Sequence, residues 1–129
     1  MTLSQHNPTT ITAPLGAYSN GVSVQGAGRW LHIAGQVGMD QKGALTGAFV
    51  EQAEAAWSNL VGVLNDAGMT TSDLVKVNHY LVSTDHLKEY GLVRSRHLGE
   101  ARPASTLLIV QALARPEWLV EVDAVAWKA

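Results

Sequence analysis

Between residues 48 and 67 the apolar side chains Val50, Ala53, Trp57, Leu60, Val61 and Leu64 recur at three- and four-residue spacing. Segments on both sides alternate instead at every second residue. The first spacing is the buried stripe of an α-helix, the second a strand with one face turned inward. A chain that switches period in this way must stack helix on sheet. Gly68 follows the last periodic residue, where a left-handed cap needs no side chain, so the helix is predicted over 48–67. Upstream, 21–25 and 30–34 read as two strands of a hairpin turning at Gly26-Ala27-Gly28. Gly35 breaks the pattern, and Asp40 to Gly43 forms a further turn.

Downstream, residues 74–82 alternate, with Val75, Val77, His79 and Leu81 assigned to one face. Ser83-Thr84-Asp85 offers N-cap candidates for a second helix over 85–98, closed by Gly99. Pro103 precedes a β-rich run over 104–110, Ala114 to Glu117 makes a loop, and the last strand is 119–127. The order β-β-α-β-α-β-β predicts an α+β fold with both helices on one face of a single sheet. One domain fills 1–129, and residues 1–11 are read as an extended arm. The other sheet face needs cover. With 47% apolar and 16% charged residues, subunit association is the economical source of it, because a small domain alone buries only about two thirds of its unfolded surface.

The last strand holds the first candidate site. Val120, Val122, Ala124 and Ala126 form a uniformly small apolar face, while Glu121 and Asp123 share the opposite face with Leu119, Val125 and Trp127. Carboxylates among large apolar residues need a partner or an open cleft, since a buried unpaired charge is costly. Other chemistry is scarce. There is no cysteine, no phosphate-cradling loop, no nucleophile elbow and no metal-ligand spacing among the five histidines. His32 and His79 fall mid-strand and read as hydrogen-bonded sheet residues. Arg94, Arg96 and Arg102 cluster around the second helix and its exit, either as a solvated face or as a grip for a substrate carboxylate. A net charge of −2 and a pI near 6.2 give no track for nucleic acid. No signal segment or membrane span is evident, so a cytoplasmic chain is expected.

Several segments, in order, resemble the Rid (reactive intermediate deaminase, YjgF) family. Pro14-Leu15-Gly16-Ala17-Tyr18-Ser19 is similar to its Gly-Pro-Tyr-Ser stretch, and Leu31-His32-Ile33-Ala34-Gly35-Gln36 to its Ser-Gly-Gln strand end. Glu51-Gln52-Ala53 through Gly68 resembles its long helix, Val75-Lys76-Val77 the strand after it, and Val120 to Ala126 its Ile-Glu-Ile-Glu-Ala-Ile-Ala ending. The resemblance implies a chorismate-mutase-like fold, a homotrimer with clefts between subunits, and cofactor-independent hydrolysis of small imines and enamines such as 2-aminoacrylate. It places Tyr18, the Gly35 backbone and Glu121 in the cleft, Glu121 as the catalytic group. No cofactor, metal, nucleic acid or membrane partner is implied, only a small-molecule substrate.

One departure stands out. Where those deaminases carry Pro-Ala-Arg-Ser, with the arginine holding the substrate carboxylate, this chain has Pro103-Ala104-Ser105-Thr106. A serine hydroxyl cannot make a bidentate charged pair. Tyr90 falls where asparagine is common, Ala34 where serine is, and Arg102 is the nearest cation in sequence. Tyr90, Arg102 and Ser105 therefore join the candidate substrate contacts. The expected activity is hydrolysis of an imine or enamine other than 2-aminoacrylate. The alternatives are a trimer that binds a metabolite without turnover and, more weakly, a ribonuclease.

Overall fold

The computed structural model describes residues 2–129. Eight elements follow in order: β1 (Thr2–His6), β2 (Gly21–Gln25), β3 (Arg29–Val37), α1 (Phe49–Asp66), β4 (Leu74–Leu81), α2 (Leu87–Leu98), β5 (Ala104–Ile109) and β6 (Val120–Lys128). The strands form a two-stranded sheet, β1-β2, and a four-stranded sheet in the order β3-β6-β4-β5. In the larger sheet β6 runs antiparallel to both neighbours, and β4 pairs with β5 in parallel across α2.

Strand pairing departs from the sequence reading in several places. The N-terminal arm is a strand over part of its length, with Leu3 opposite Val24. The single sheet is two. The hairpin between 21–25 and 30–34 does not form, because β2 pairs with β1 while β3 pairs with β6, setting Trp30 opposite Trp127 and Ile33 opposite Ala124. A glycine-rich turn is a local signal. Which strand each side then pairs with is decided elsewhere, for β2 at the start of the chain and for β3 at its end. Gly35 does not end β3 either; it sits in a bulge between Ile33 and Gln36 through which the strand continues to Val37. On β4 the register shifts between Leu74 and Lys76, so Leu74, Val77, His79 and Leu81 are the inward residues, without Val75.

The inner face of β6 is as small as the alternation predicts. Val120, Val122, Ala124 and Ala126 are buried against Trp57, Leu60 and Leu64 of α1. Removing these side chains from water is the main source of stability, at roughly 25 cal/mol per Å² of apolar surface.

Ala48, at the α1 N-cap, makes no side-chain cap. Buried Gln52 ties the helix start down instead. Its Nε2 donates to the Gly47 and Glu117 carbonyls at 3.0 and 3.2 Å, and its Oε1 accepts from the Leu119 N–H at 3.0 Å. Gly38 lies directly beneath; a Cβ there would fall 2.5 Å from the Gln52 Cα. The prediction is that Gln52→Leu, nearly the same size, leaves one N–H and two carbonyls without this partner and costs about 3 kcal/mol. Urea unfolding measures this, and a loss under about 0.5 kcal/mol would show that the bonds contribute little.

Candidate active site

On the outer face of the four-stranded sheet, Tyr80 of β4 lies opposite Glu121 of β6, and Asn78 opposite Asp123. Asp123 is satisfied within the chain, accepting from Asn78 Nδ2 at 2.9 Å and from the Tyr80 hydroxyl at 2.8 Å. That bond, then burial, raises the Tyr80 pKa. Glu121 has no side-chain partner among the described residues. Burial, then the charge of Asp123, holds its pKa above the ordinary carboxylate value. Both carboxylates line an open cleft of about 350 Å³ together with Tyr80, Val110, Leu113 and Ala114.

The β3 bulge makes room for Glu121. A Cβ on Gly35 would lie 1.8 Å from Glu121 Oε2, so only glycine admits the carboxylate there. Gly35 and Glu121, matched separately in the sequence, are thus neighbours.

The other expected site residues lie elsewhere. Ser105 pairs with inward-facing Val77 and shares the helix side of the sheet; its Oγ is 2.8 Å from His79 Nε2. His79 Nδ1 in turn meets the Tyr90 hydroxyl, which accepts from Trp57 Nε1 at 3.1 Å. Tyr90 is fully buried within the chain and anchors the core. Tyr18 is half-buried in the loop before β2, its hydroxyl accepting from the Leu15 N–H at 3.1 Å. The next residue, Ser19, bridges to Ala104 and fixes this loop against the start of β5. Arg102 is engaged with the backbone before β5. Its guanidinium donates to the carbonyls of Gly99 and Ala101 at 2.8 and 2.7 Å and lines a concavity beside Leu3 and Gln5.

Tyr80 and Asn78 escaped the sequence reading as site residues. Their signal was parity with the outward positions of β4, which becomes useful only once the β4–β6 register is known. Among the described residues no group of three His, Asp or Glu side chains is placed to hold a metal ion, and no helix is long and apolar enough to cross a membrane.

The family profile described as Endoribonuclease L-PSP matches residues 9–128. The chain belongs to this family, which includes the Rid proteins. It is 31% identical over 117 residues to a RutC family protein of Pyrococcus abyssi, covering 89% of each chain. It is 31% identical over 120 residues to the mouse 2-iminobutanoate/2-iminopropanoate deaminase, covering 92% of this chain and 86% of that one. The crystal structure of a Rid family protein of unknown function from Yersinia pestis superposes with a TM-score of 0.87 at 35% identity, over 98% of both chains. RidA from a Psychrobacter species gives 0.74 at 29% identity, covering 90% of this chain and 92% of that one.

In this Rid family chain the buried His79 is also a pH probe. Burial, then the charges of Arg94 and Lys76, lowers its pKa from 6.5 to about 3. The unfolded ring therefore binds a proton as pH falls through 6.5 while the folded ring stays neutral down to about 3. Between these values the unfolded state holds more protons, so His79 makes stability fall as pH drops. The prediction is a shallower loss of stability for His79→Gln across that window, read from urea midpoints at successive pH values. Parallel profiles for the two proteins would show that His79 titrates normally.

Proposed function

We propose that this chain is a cofactor-independent hydrolase of the deaminase type. It acts on a small imine or enamine in clefts completed between the subunits of a homotrimer. The carrying observation is Glu121, a carboxylate with no side-chain partner, a raised pKa and a neighbouring glycine that leaves it space. Such a group takes and returns protons nearer neutral pH than an ordinary carboxylate does. Glu121 accepts a proton from a water as the water oxygen bonds to the C=N carbon, and returns that proton to the nitrogen. Glu121 then carries the hydroxyl proton of the carbinolamine to its nitrogen, the C–N bond breaks, and a C=O group and ammonia are left. Gly35 and Tyr18 help to shape the cleft. The name of the mouse relative supports this reaction class, and Ser105 favours a substrate other than 2-aminoacrylate.

One observation favours a second reading, a trimer that binds a metabolite without converting it: at residue 105 stands a serine already held by His79. Ammonia release from freshly generated imines separates the two. The prediction is that the wild-type protein exceeds the buffer rate on part of an amino-acid-derived imine panel. Glu121→Gln then lowers that excess on the order of 100-fold. Gly35→Ala, which drives the carboxylate from its place, does the same with little change in thermal midpoint. Equal rates for wild type and Glu121→Gln would refute the role of Glu121. Ligand-induced thermal stabilisation with no ammonia from any imine would instead select the binding reading.

A further inference from the structure

The proposed reaction uses one of the three polar side chains that line the cleft, Glu121, and leaves Tyr80 and Asp123 without a task. The rest of the lining, Val110, Ala112, Leu113 and Ala114, is apolar and offers a water no side-chain hydrogen bond. The attacking water sets a condition on this set. It carries two protons, and holding its oxygen on a carbon takes an acceptor for each of them. Glu121 accounts for one. With the second proton unheld, the water turns about its single bond and loses the alignment that speeds the attack.

Tyr80 meets the condition. It stands directly opposite Glu121 on the antiparallel β4–β6 ladder, a pairing that sets the two Cβ atoms roughly 5 Å apart on one face. Its hydroxyl has a single proton, and that proton goes to Asp123 Oδ2 at 2.8 Å. Asp123 is fixed for this, because Asn78 Nδ2 binds its other oxygen at 2.9 Å. The bond to Asp123, then burial, raises the Tyr80 pKa, so the hydroxyl stays protonated through the neutral range. Turning that proton into the cleft would give up a charge-assisted bond. Among the described residues no donor reaches the Tyr80 oxygen, which therefore faces the cleft as an acceptor only. Asp123 suits the task less, since both of its oxygens are engaged. Glu121 Oε2 lies over Gly35, on the β3 side of β6, and Tyr80 on the β4 side. A water between them has an acceptor at each end. A cleft of about 350 Å³ holds it beside a small substrate, since a water fills only about 30 Å³.

We infer that Tyr80 positions the hydrolytic water: its oxygen, turned to the cleft by Asp123, accepts a hydrogen bond from the water that Glu121 deprotonates. This deepens the function proposed above and rests on it. The water gives one proton to Glu121 while its oxygen bonds to the C=N carbon. The C=N electron pair moves to nitrogen, and Glu121 hands the proton on to it. The hydrogen held by Tyr80 stays on oxygen in this step and becomes the hydroxyl proton of the carbinolamine, which Glu121 carries to nitrogen before the C–N bond breaks. Tyr80 keeps its own proton throughout. A phenylalanine in its place would fill the same space and leave the water with one acceptor.

Tyr80→Phe tests this, because it keeps the half-buried ring and removes only the oxygen. The measurements are steady-state ammonia release from the imine panel and crystal structures of wild type and variant at a resolution that shows ordered water. In wild type one water is expected within about 3 Å of both a Glu121 oxygen and the Tyr80 oxygen, and it is lost in Tyr80→Phe. The variant's kcat falls on the order of tenfold, the effect of one hydrogen bond made to the reacting water. KM and the thermal midpoint stay nearly unchanged, whereas a role in shaping the cleft would move KM instead. Unchanged kcat, a loss confined to KM, or a wild-type water held by Glu121 and Asp123 without Tyr80 would each overturn the inference. Ammonia release by a wild type with no bridging water overturns it too and leaves the deaminase reading standing. A bridging water in a protein that converts no imine refutes the deaminase reading, and the part of Tyr80 in it, by a separate observation.

Discussion

The position of β6 between β3 and β4 is the constraint on which everything else depends. Its inner residues are small, so α1 can lie close enough for Trp57, Leu60 and Leu64 to be fully buried over them. Side chains on a strand alternate strictly, so fixing that face also fixes the other. Glu121 and Asp123 must then project outward, next to Tyr80 and Asn78 of β4. A one-residue slip of β6 would bury two carboxylates under the helix, at a cost no core of this size can absorb. The same packing that stabilises the fold aims the candidate catalytic group.

The two carboxylates differ because their neighbours differ. Asp123 has two donors and is a structural acceptor that orients Tyr80. Glu121 faces a bulge in β3, where an inserted residue and a missing Cβ open space rather than supply a partner. Desolvation without compensation raises its pKa. On the helix side the logic is reversed. Trp57, Tyr90, His79 and Ser105 form one hydrogen-bonded chain, and burial keeps the histidine neutral.

Period and composition made both helices and five of the six strands legible. The α1 stripe extends over 48–67 in sequence and the helix over Phe49–Asp66. The inner face of β6 was assigned correctly as well. Pairing was not legible. Nothing local distinguishes a hairpin between β2 and β3 from strands that diverge, and the polar arm concealed β1 because a two-stranded edge sheet needs little apolar alternation. At the site, the shared face of Glu121 and Asp123 was readable, whereas their different roles follow from Asn78, Tyr80 and Gly35, brought in by ladder register. The inward turn of Tyr90 and Ser105 was hidden for the same reason. Each sits in a segment where polarity suggests exposure, and His79, itself mid-strand, is the buried partner they share.

Ser105 and Glu121 lie on opposite faces of one sheet, separated along β4 by the step from Val77 to Tyr80. A small imine cannot reach both within a single chain. If both touch one substrate, they come from different copies, with the outer face of one subunit laid against the β5 edge and the 14–19 loop of another. That arrangement would cover the half-exposed Trp30, Leu108 and Ile109 on and beside the outer sheet. It would also bring the Glu121 carboxylate and the Arg94 guanidinium toward one cleft from two directions. Each group is awkward in isolation, the first desolvated and the second without an acceptor. Together they mark two polar groups that a single chain leaves without partners.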